Sequence, residues 1–184
     1  MHIRVEQIAD KGLALEFEEP IESFAVLAEM VDEGQCEFLA PIKTALRVQR
    51  FGDIVEVEGN ISTSARLTCG RCLRKFESRL ESRVALSYRS GVPDDEKMGP
   101  KQEEFELKEE DMNLIYYQGE EINLQNEIQE QVVMAFPLRA LCKPDCKGLC
   151  SECGSDLNEG DCRCIKTSSD SRFEVLKNLN LDKK

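Results

Sequence analysis

The sequence predicts an α+β protein with an antiparallel, barrel-like β-sheet core, a few helices and a cysteine-rich C-terminal segment. Apolar and polar residues alternate over long stretches before residue 90, as they do in half-buried strands. Only a few segments show the spacing of an amphipathic helix, and eight of the nine cysteines follow residue 68 in close groups. With 184 residues, the chain suffices for one ordinary domain and a small appendage.

The first half of the chain alternates as a series of strands joined by short turns. Two short strands are predicted on either side of a turn at Lys11 and Gly12. Residues 24–33 have helical spacing, and Gly34 is expected to end that helix. Three longer strands are predicted at residues 42–51, 54–68 and 76–88.

An acidic loop and a helix are predicted between residue 90 and the C-terminal cysteines. Residues 90–104 hold two prolines, two glycines and five acidic residues, which predicts a flexible, solvated loop. Short strands are expected at residues 105–107 and 114–117. Asn123 is the expected N-cap of an amphipathic helix that stops at Pro137. Its apolar residues recur at every fourth position, at Leu124, Ile128, Val132 and Phe136.

The chain is expected to have two parts. Residues 1–140 form the β-rich domain, and residues 141–184 form a cysteine-rich, metal-binding segment. Residues 172–179 again have helical spacing, so a C-terminal helix is predicted, either docked on the rest of the chain or bound to a partner. Docking is the favoured interpretation.

Eight cysteines have the spacing of metal ligands. Cys36 stands alone and is expected to be a plain thiol. An odd number of cysteines without a secretion signal argues against a disulfide framework. The other eight form Cys69-x2-Cys72, Cys142-x3-Cys146-x3-Cys150-x2-Cys153 and Cys162-x-Cys164. Because two cysteines separated by two residues can bind one metal from a tight turn, we expect two four-thiolate sites.

The division of these eight cysteines between two sites is open to two interpretations. The favoured one has a local site formed by Cys150, Cys153, Cys162 and Cys164, and a long-range site formed by Cys69, Cys72, Cys142 and Cys146. The alternative joins Cys142, Cys146, Cys150 and Cys153, and leaves Cys69 and Cys72 to Cys162 and Cys164. In both, the first pair lies in the turn of a predicted hairpin, which makes the segment zinc-ribbon-like.

Zinc is the expected metal, with two ions bound in a structural role. Sites made only of thiolates favour zinc, although iron–sulfur clusters use the same ligands. The spacing of Cys146, Cys150 and Cys153 also occurs in radical-SAM cluster motifs, but this chain is too short for the barrel of those enzymes. Basic residues beside the ligands, such as Arg71 and Lys147, would offset the negative charge of the thiolates.

Charge is unevenly distributed along the chain, whose net charge is −12. Residues 66–93 carry seven basic and two acidic residues, whereas residues 1–65 and 94–130 are strongly acidic. An evenly acidic protein binds nucleic acid poorly, because phosphate contacts dominate that affinity. The basic segment permits a local phosphate-binding surface without requiring one.

Several functional classes are disfavoured by what the sequence lacks. His2 is the only histidine and lies at the N-terminus, which argues against Ser-His-Asp and Cys-His catalysis. Neither a GxxxxGK[ST] phosphate loop nor an HExxH motif is present, so we expect no enzyme and no small-molecule substrate. Without an apolar run of about 20 residues or a secretory signal, we expect a cytoplasmic protein that does not enter the membrane.

The order and spacing of several motifs resemble the YceD family, the large ribosomal RNA subunit accumulation proteins. The resemblance covers about residues 40–180 and is specific through the combination of its parts. The matching parts are Cys69-Gly70-Arg71-Cys72-Leu73, Glu130-Gln131, Phe136-Pro137, Leu141-Cys142, the run from Cys146 to Asn158, Cys162-Arg163-Cys164 and Asp170-Ser171-Arg172-Phe173.

This resemblance implies an accessory factor of ribosome biogenesis. Such a factor is needed for synthesis, processing or stability of large-subunit, 23S-type rRNA, and it binds either that rRNA or a protein of the pre-ribosomal particle. One alternative is an acidic adaptor for a basic ribosomal or assembly protein, which the net charge of −12 would suit. Another is a zinc-thiol redox switch that releases its metal on oxidation.

The hairpin at Cys69 and Cys72 is the expected RNA-binding surface. Its basic residues are Arg66, Arg71, Arg74, Lys75 and Arg79. Arginine forms bidentate contacts with phosphate, so these side chains would hold structured RNA. The competing interpretation is an ordinary strand surface, on which the same residues pair with Glu77, Glu81 or the acidic loop.

Overall fold

A computed structural model of the chain describes residues 1–9, 11–92 and 114–164. In these residues it has eight strands, two α-helices and two single-turn 3-10 helices. The strands are β1 (His2–Arg4), β2 (Leu13–Glu19), β3 (Glu37–Phe38), β4 (Ile42–Phe51), β5 (Ile54–Thr68), β6 (Lys75–Ser90), β7 (Leu114–Tyr117) and β8 (Glu121–Asn123). The helices are α1 (Ala25–Asp32) and α2 (Gln125–Met134).

The main sheet has six strands and is largely antiparallel. Its order is β2-β4-β5-β6-β7, and β3 pairs with β5 beyond the start of β4. A separate ribbon pairs β1 with β8. The α+β class with an antiparallel core is therefore confirmed. The barrel-like closure is not observed, because β2 and β7 remain the two edges of the described sheet.

The long hairpin of β5 and β6 positions the candidate site. Its pairing runs from Ile54↔Arg89 to Thr68↔Lys75, so both strands remain in register up to the turn. Side chains alternate along β5, with Val57 and Ile61 buried and Glu58 exposed. The strict alternation follows from the pleat, which points successive side chains to opposite faces. As a result, the turn that contains Cys69 lies at the end of a ribbon that is paired along its whole length.

Strand β7 departs from the predicted antiparallel arrangement. It runs parallel to β6, with Ser87 opposite Leu114 and Ser90 opposite Tyr117. A parallel pair needs a long connection, and the chain between Ser90 and Leu114 has that length. Periodicity alone identified the strand but could not give its direction.

Both predicted helices of the described residues are present and pack against the sheet. Residues Leu124, Ile128 and Val132 are all buried, which confirms that the apolar stripe of α2 belongs to the core. The predicted N-cap is wrong by one residue, because the helix is preceded by Leu124, which makes no side-chain cap bond; Asn123 Oδ1 instead accepts from the Gln125 amide at 3.0 Å. No helix in the described ranges is long and apolar enough to cross a bilayer.

Some predictions fall where the structure gives no description. Nearly all of the acidic loop at residues 90–104, the short strand at 105–107 and the helix at 172–179 lie outside the described residues. The division of the chain at residue 140 stays a prediction.

Gly59 provides a test of the sheet register. It faces Leu46 across the β4–β5 pair, and an added Cβ would lie 2.9 Å from the Leu46 Cα and even closer to the carbonyl oxygen of Ala45. Because the strands would have to move apart, we expect Gly59→Ala to lower the free energy of unfolding by about 3 kcal/mol in urea denaturation. Gly160→Ala is the control, since no heavy atom lies within 4 Å of its added Cβ. Equal stability of both variants would contradict this register.

Candidate metal centre and hairpin surface

The structure gathers the eight clustered cysteines into two groups of four. The first tetrad contains Cys69, Cys72, Cys142 and Cys146, and the second contains Cys150, Cys153, Cys162 and Cys164. Within each tetrad all sulfurs lie within 4.8 Å of one another. This grouping matches the favoured division, in which one site is long-range and the other is local. Cys36 is buried away from both tetrads in a small apolar cluster.

The sulfur geometry of the first tetrad fits a tetrahedral zinc ion. A zinc–sulfur bond of about 2.3 Å places two sulfurs of a tetrahedron about 3.8 Å apart. The distance from Cys69 Sγ to Cys146 Sγ is 3.8 Å, and that from Cys72 Sγ to Cys142 Sγ is 3.6 Å. Both tetrads can therefore hold a metal ion, and an all-thiolate set is compatible with zinc.

The two Cys-x2-Cys turns have the same backbone structure. We call Cys69–Leu73 the first turn and Cys150–Gly154 the second turn. The amide of Leu73 donates to the Cys69 carbonyl at 3.0 Å, and the amide of Gly154 donates to the Cys150 carbonyl at 2.9 Å. In each turn, a second hydrogen bond reaches the residue that follows the turn. The amide of its first cysteine donates to the carbonyl of the residue five positions later, at 2.9 and 2.8 Å.

The residue after the second cysteine adopts a left-handed backbone conformation in both turns. Gly154 has a φ of +73°, and Leu73 has a φ of +58°. Leu73 is the only non-glycine residue with positive φ among the described residues. Glycine adopts this conformation without strain, whereas for a residue with a Cβ the conformation costs about 1–2 kcal/mol of free energy. The two turns thus have different residues, a leucine and a glycine, in the same left-handed conformation.

Hydrogen bonds to sulfur and burial shift the pKa values of the cysteines in opposite directions. The backbone N–H of Cys72 donates to the Cys69 sulfur and lowers the pKa of that thiol to about 6. In the second tetrad, a hydrogen bond from the Ser155 hydroxyl lowers the pKa of Cys153 to about 6. Burial raises the pKa of Cys142 to about 12. Each tetrad contains cysteines of both kinds, so a cation that binds all four sulfurs must displace protons.

Contacts outside the sulfurs tie the first turn to the segment after α2. The amide of Gly70 donates to the Ala140 carbonyl at 2.8 Å, and Arg71 Nη1 donates to the Cys146 carbonyl at 2.8 Å. Gly148, with a φ of +78°, lies so close to Arg71 that an added Cβ would be 3.1 Å from its carbonyl oxygen. The cysteine segment is therefore docked directly on the hairpin end.

Asn158 connects the two tetrads. Its Nδ2 lies 3.4 Å from the Cys146 sulfur, and its Oδ1 accepts from the Lys147 amide at 2.9 Å. Asn158 itself belongs to the chain between the two cysteine pairs of the second tetrad. A hydrogen bond to a ligand sulfur orients that ligand and reduces its charge, as outer groups do in metal sites.

Carboxylates hold three of the five predicted phosphate-binding residues. The pairs are Arg66 with Glu37 and Glu77 at 2.9 and 3.3 Å, Arg74 with Asp156 and Glu159, both at 2.8 Å, and Arg79 with Glu81 at 2.6 Å. Arg71 donates to a backbone carbonyl, as described above. Lys75 is exposed at the start of β6 and has no ion-pair partner in the part of the chain that the structure describes. That any of the five contacts RNA stays a prediction.

Sequence reasoning did not identify the equivalence of the two turns or the ion pairs of Arg74. The first had a signal, because Cys69-Gly70-Arg71-Cys72-Leu73 and Cys150-Ser151-Glu152-Cys153-Gly154 align without a gap. The second had none, because Arg74 and Asp156 are 82 positions apart. Only the docking of the cysteine segment brings them together.

Taken together, the fold and the tetrads define an α+β protein with a cysteine segment able to hold metal at the end of a long hairpin. A family model described as large ribosomal RNA subunit accumulation protein YceD matches residues 57–180. This match covers more than half of the chain, so the chain belongs to the YceD family. The resemblance used in the sequence analysis is thereby confirmed.

Individual relatives match parts of the chain. An uncharacterized protein of Mycobacterium tuberculosis is 30% identical over 112 residues, which cover 61% of this chain and 49% of the relative. The chloroplastic large ribosomal RNA subunit accumulation protein YCED homolog 1 of Arabidopsis thaliana is 34% identical over 59 residues, or 32% of this chain and 18% of the relative. The Zea mays homolog 1 is 40% identical over 45 residues, covering 24% and 15%.

The match spans about half the length of the mycobacterial relative and less of the plant relatives. No solved structure gives a significant match. The activity and partners of the whole protein are therefore treated below as proposals.

Pairs of cysteine substitutions can separate the two possible divisions. We expect Cys69→Ser/Cys146→Ser to lose one metal ion of two, because both residues belong to the first tetrad. We expect Cys69→Ser/Cys162→Ser to lose both ions, because each tetrad then lacks a ligand. Metal content is measured by mass spectrometry of the purified proteins.

The alternative division reverses these two results, since it places Cys69 with Cys162 and separates Cys69 from Cys146. Cys36→Ala is the matched control and should keep both ions. Loss of metal from the control, or the reversed pattern, would contradict the grouping described here.

Proposed function

We propose that this protein is an accessory factor of large-subunit ribosome biogenesis that binds rRNA with the zinc-supported end of the β5–β6 hairpin. Two zinc ions have a structural role, one in each tetrad. The observation that carries the proposal is the first tetrad, which fixes a turn with basic residues between a rigid hairpin and the cysteine segment. Membership in a family named for rRNA accumulation gives this surface its expected partner.

Zinc is proposed because it suits both the ligands and their surroundings. Four thiolates leave no open coordination position, which is the arrangement of structural zinc rather than catalytic zinc. Cys69, Cys72 and Cys146 are buried, so the first tetrad is shielded from solvent. Arg71 beside this tetrad offsets part of the charge that four thiolates place on one zinc ion.

The ion pairs reduce the number of basic residues that are free to contact RNA. Arg66, Arg74 and Arg79 would have to exchange carboxylate partners for phosphates, which reduces the gain from each contact. Arg71 and Lys75 flank the first turn without a carboxylate partner in the described ranges. We therefore place the main phosphate contacts at these two residues, with the other three as a secondary set.

The proposed role in the cell can be tested by crosslinking the protein to RNA with ultraviolet light and sequencing the attached fragments. A direct rRNA-binding factor gives reads at a few places in large-subunit rRNA. An adaptor for a basic ribosomal protein gives no reads above an untagged control, but still sediments with large-subunit precursors. A protein that does neither, and whose depletion leaves large-subunit rRNA levels unchanged, has no part in ribosome biogenesis.

Reversal of the charge at Lys75 tests the proposed surface. We expect Lys75→Glu to weaken binding to large-subunit rRNA about tenfold, because one phosphate contact is lost. The negative slope of log K against log salt should decrease in magnitude by about one. Binding is measured by filter retention at several salt concentrations.

Lys43→Glu is the matched control for Lys75→Glu. Lys43 lies on the exposed face of β4, 3.9 Å from Glu18 and far from the turn. Its replacement by glutamate changes the net charge by the same amount. It should leave the salt slope unchanged. Equal effects of the two variants would mean that only the net charge of the protein matters, and would remove Lys75 from the binding surface.

The second tetrad favours a redox switch as a second candidate function. Cys153 is exposed and Cys162 and Cys164 are half-buried, whereas three cysteines of the first tetrad are buried. Oxidation of two of these thiolates by hydrogen peroxide forms a disulfide, reduces the peroxide to water and frees the metal. We expect low doses of peroxide to release one zinc ion of two, detected with a chromogenic chelator. Retention of both ions at these doses would eliminate the switch.

A further inference from the structure

We propose that Leu73 is an apolar contact residue that packs against an unstacked base in a loop or bulge of large-subunit rRNA, with Arg71 and Lys75 on the adjoining phosphates. This inference rests on the proposed function and names the part of the surface that distinguishes bases from backbone. It starts from the comparison of the two turns.

The second turn shows what the backbone alone requires. Both turns have the same hydrogen bonds, and in both the residue after the second cysteine has positive φ. The second turn meets this requirement with Gly154, the residue that adopts such a φ without strain. Leu73 meets the same requirement with strain, so the turn geometry does not account for a leucine at this position.

Packing within the protein does not account for Leu73 either. Its side chain is 64% exposed, although its neighbour Cys72 is only 6% exposed. A leucine that stabilised the core would be covered, as Leu67 and Leu80 are in the same hairpin. A strained backbone and an exposed apolar side chain at one position are the features that functional sites retain at a cost in stability.

The surroundings of Leu73 favour RNA over a protein as its partner. Arg71 and Lys75 stand two positions on either side of it and have no carboxylate partner in the described part of the chain. Within the first turn, Leu73 is the one exposed apolar side chain, and it stands between two cations, which matches a base flanked by phosphates. The core of a protein–protein interface, in contrast, is depleted in lysine.

The turn also has the shape that recognition of an unpaired base requires. Sequence-dependent RNA recognition mostly targets loops and bulges, whose bases are free to contact protein side chains, and zinc knuckles are among the modules that do so. The first turn lies at the end of the β5–β6 hairpin, and its two cysteines belong to the first tetrad. Leu73 is therefore an exposed residue of a hydrogen-bonded turn, where a splayed base can reach it.

The test compares binding and stability of variants of the full-length, zinc-loaded protein. Leu73→Gly and Leu73→Asn both remove the apolar side chain, and both new residues accept positive φ. We expect each to bind transcripts that together cover large-subunit rRNA about tenfold more weakly than wild type, because the burial of one leucine side chain is lost. We expect metal content to remain unchanged and the unfolding midpoint to remain equal or to rise, because the strain at this position is relieved. Affinity and stability would then move independently.

Two further variants make the comparison specific. Leu73→Met keeps an apolar side chain and should bind RNA as wild type does. Phe51→Asn removes a similarly exposed apolar residue at the end of β4, which pairs with the opposite end of β5 from the first turn, and should also leave binding unchanged. Wild-type affinity in Leu73→Gly and Leu73→Asn would overturn the proposal but not the proposed function. Equal loss in Phe51→Asn would overturn it as well, since any exposed apolar residue would then have the same effect.

A parallel binding assay uses proteins extracted from large ribosomal subunits in place of RNA. If wild-type protein binds no rRNA transcript but binds the extracted proteins, and Leu73→Gly abolishes that binding, the partner of Leu73 is a protein and the RNA contact is overturned. If wild-type protein binds neither, the proposed function fails together with this inference.

Discussion

The arrangement of the whole cysteine segment depends on one interaction, the convergence of Cys69 and Cys72 with Cys142 and Cys146. The paired sulfurs are 77 and 70 positions apart in the chain. A metal ion bound by these four sulfurs would close a loop of this length and restrict the unfolded chain by about 4 kcal/mol in the chain-entropy model of a crosslink. The hydrogen bonds from Gly70 to Ala140 and from Arg71 to Cys146 join the same two parts of the chain.

The two tetrads have similar ligands but different consequences for the fold. A metal in the second would close only the short loop between Cys150 and Cys164, for which chain entropy would give about 3 kcal/mol, and one of its cysteines is exposed. The first joins distant parts of the chain and is largely buried. Loss of the first metal would free the segment from the hairpin, whereas loss of the second would mainly loosen the segment itself. Asn158 makes the two partly dependent, because its amide reaches the Cys146 sulfur.

Local features of this protein were predictable from sequence, whereas features that depend on distant neighbours were not. Alternation gave β4, β5 and β6, helical spacing gave α1 and α2, and cysteine spacing limited the tetrads to two divisions. The direction of β7 was missed because periodicity is the same in parallel and antiparallel strands. The partners of Arg74 were missed because Asp156 approaches it only after the cysteine segment docks. A barrel was expected, but the alternation that predicts strands contains no information on whether the edges of the sheet meet.

The ion pairs bear on how a chain with a net charge of −12 would present a selective surface to the proposed RNA partner. A basic segment whose charges were all free would bind any nucleic acid, since phosphate contacts carry no sequence information. Here Glu37, Glu77 and Asp156 neutralise much of that segment. Among its described residues, the cations without a carboxylate partner are Arg83 and the two beside the first turn, Arg71 and Lys75. The remaining electrostatic attraction is small, so binding on the proposed surface must draw on an uncharged contact as well. Leu73 stands between Arg71 and Lys75, where such a contact would have to form.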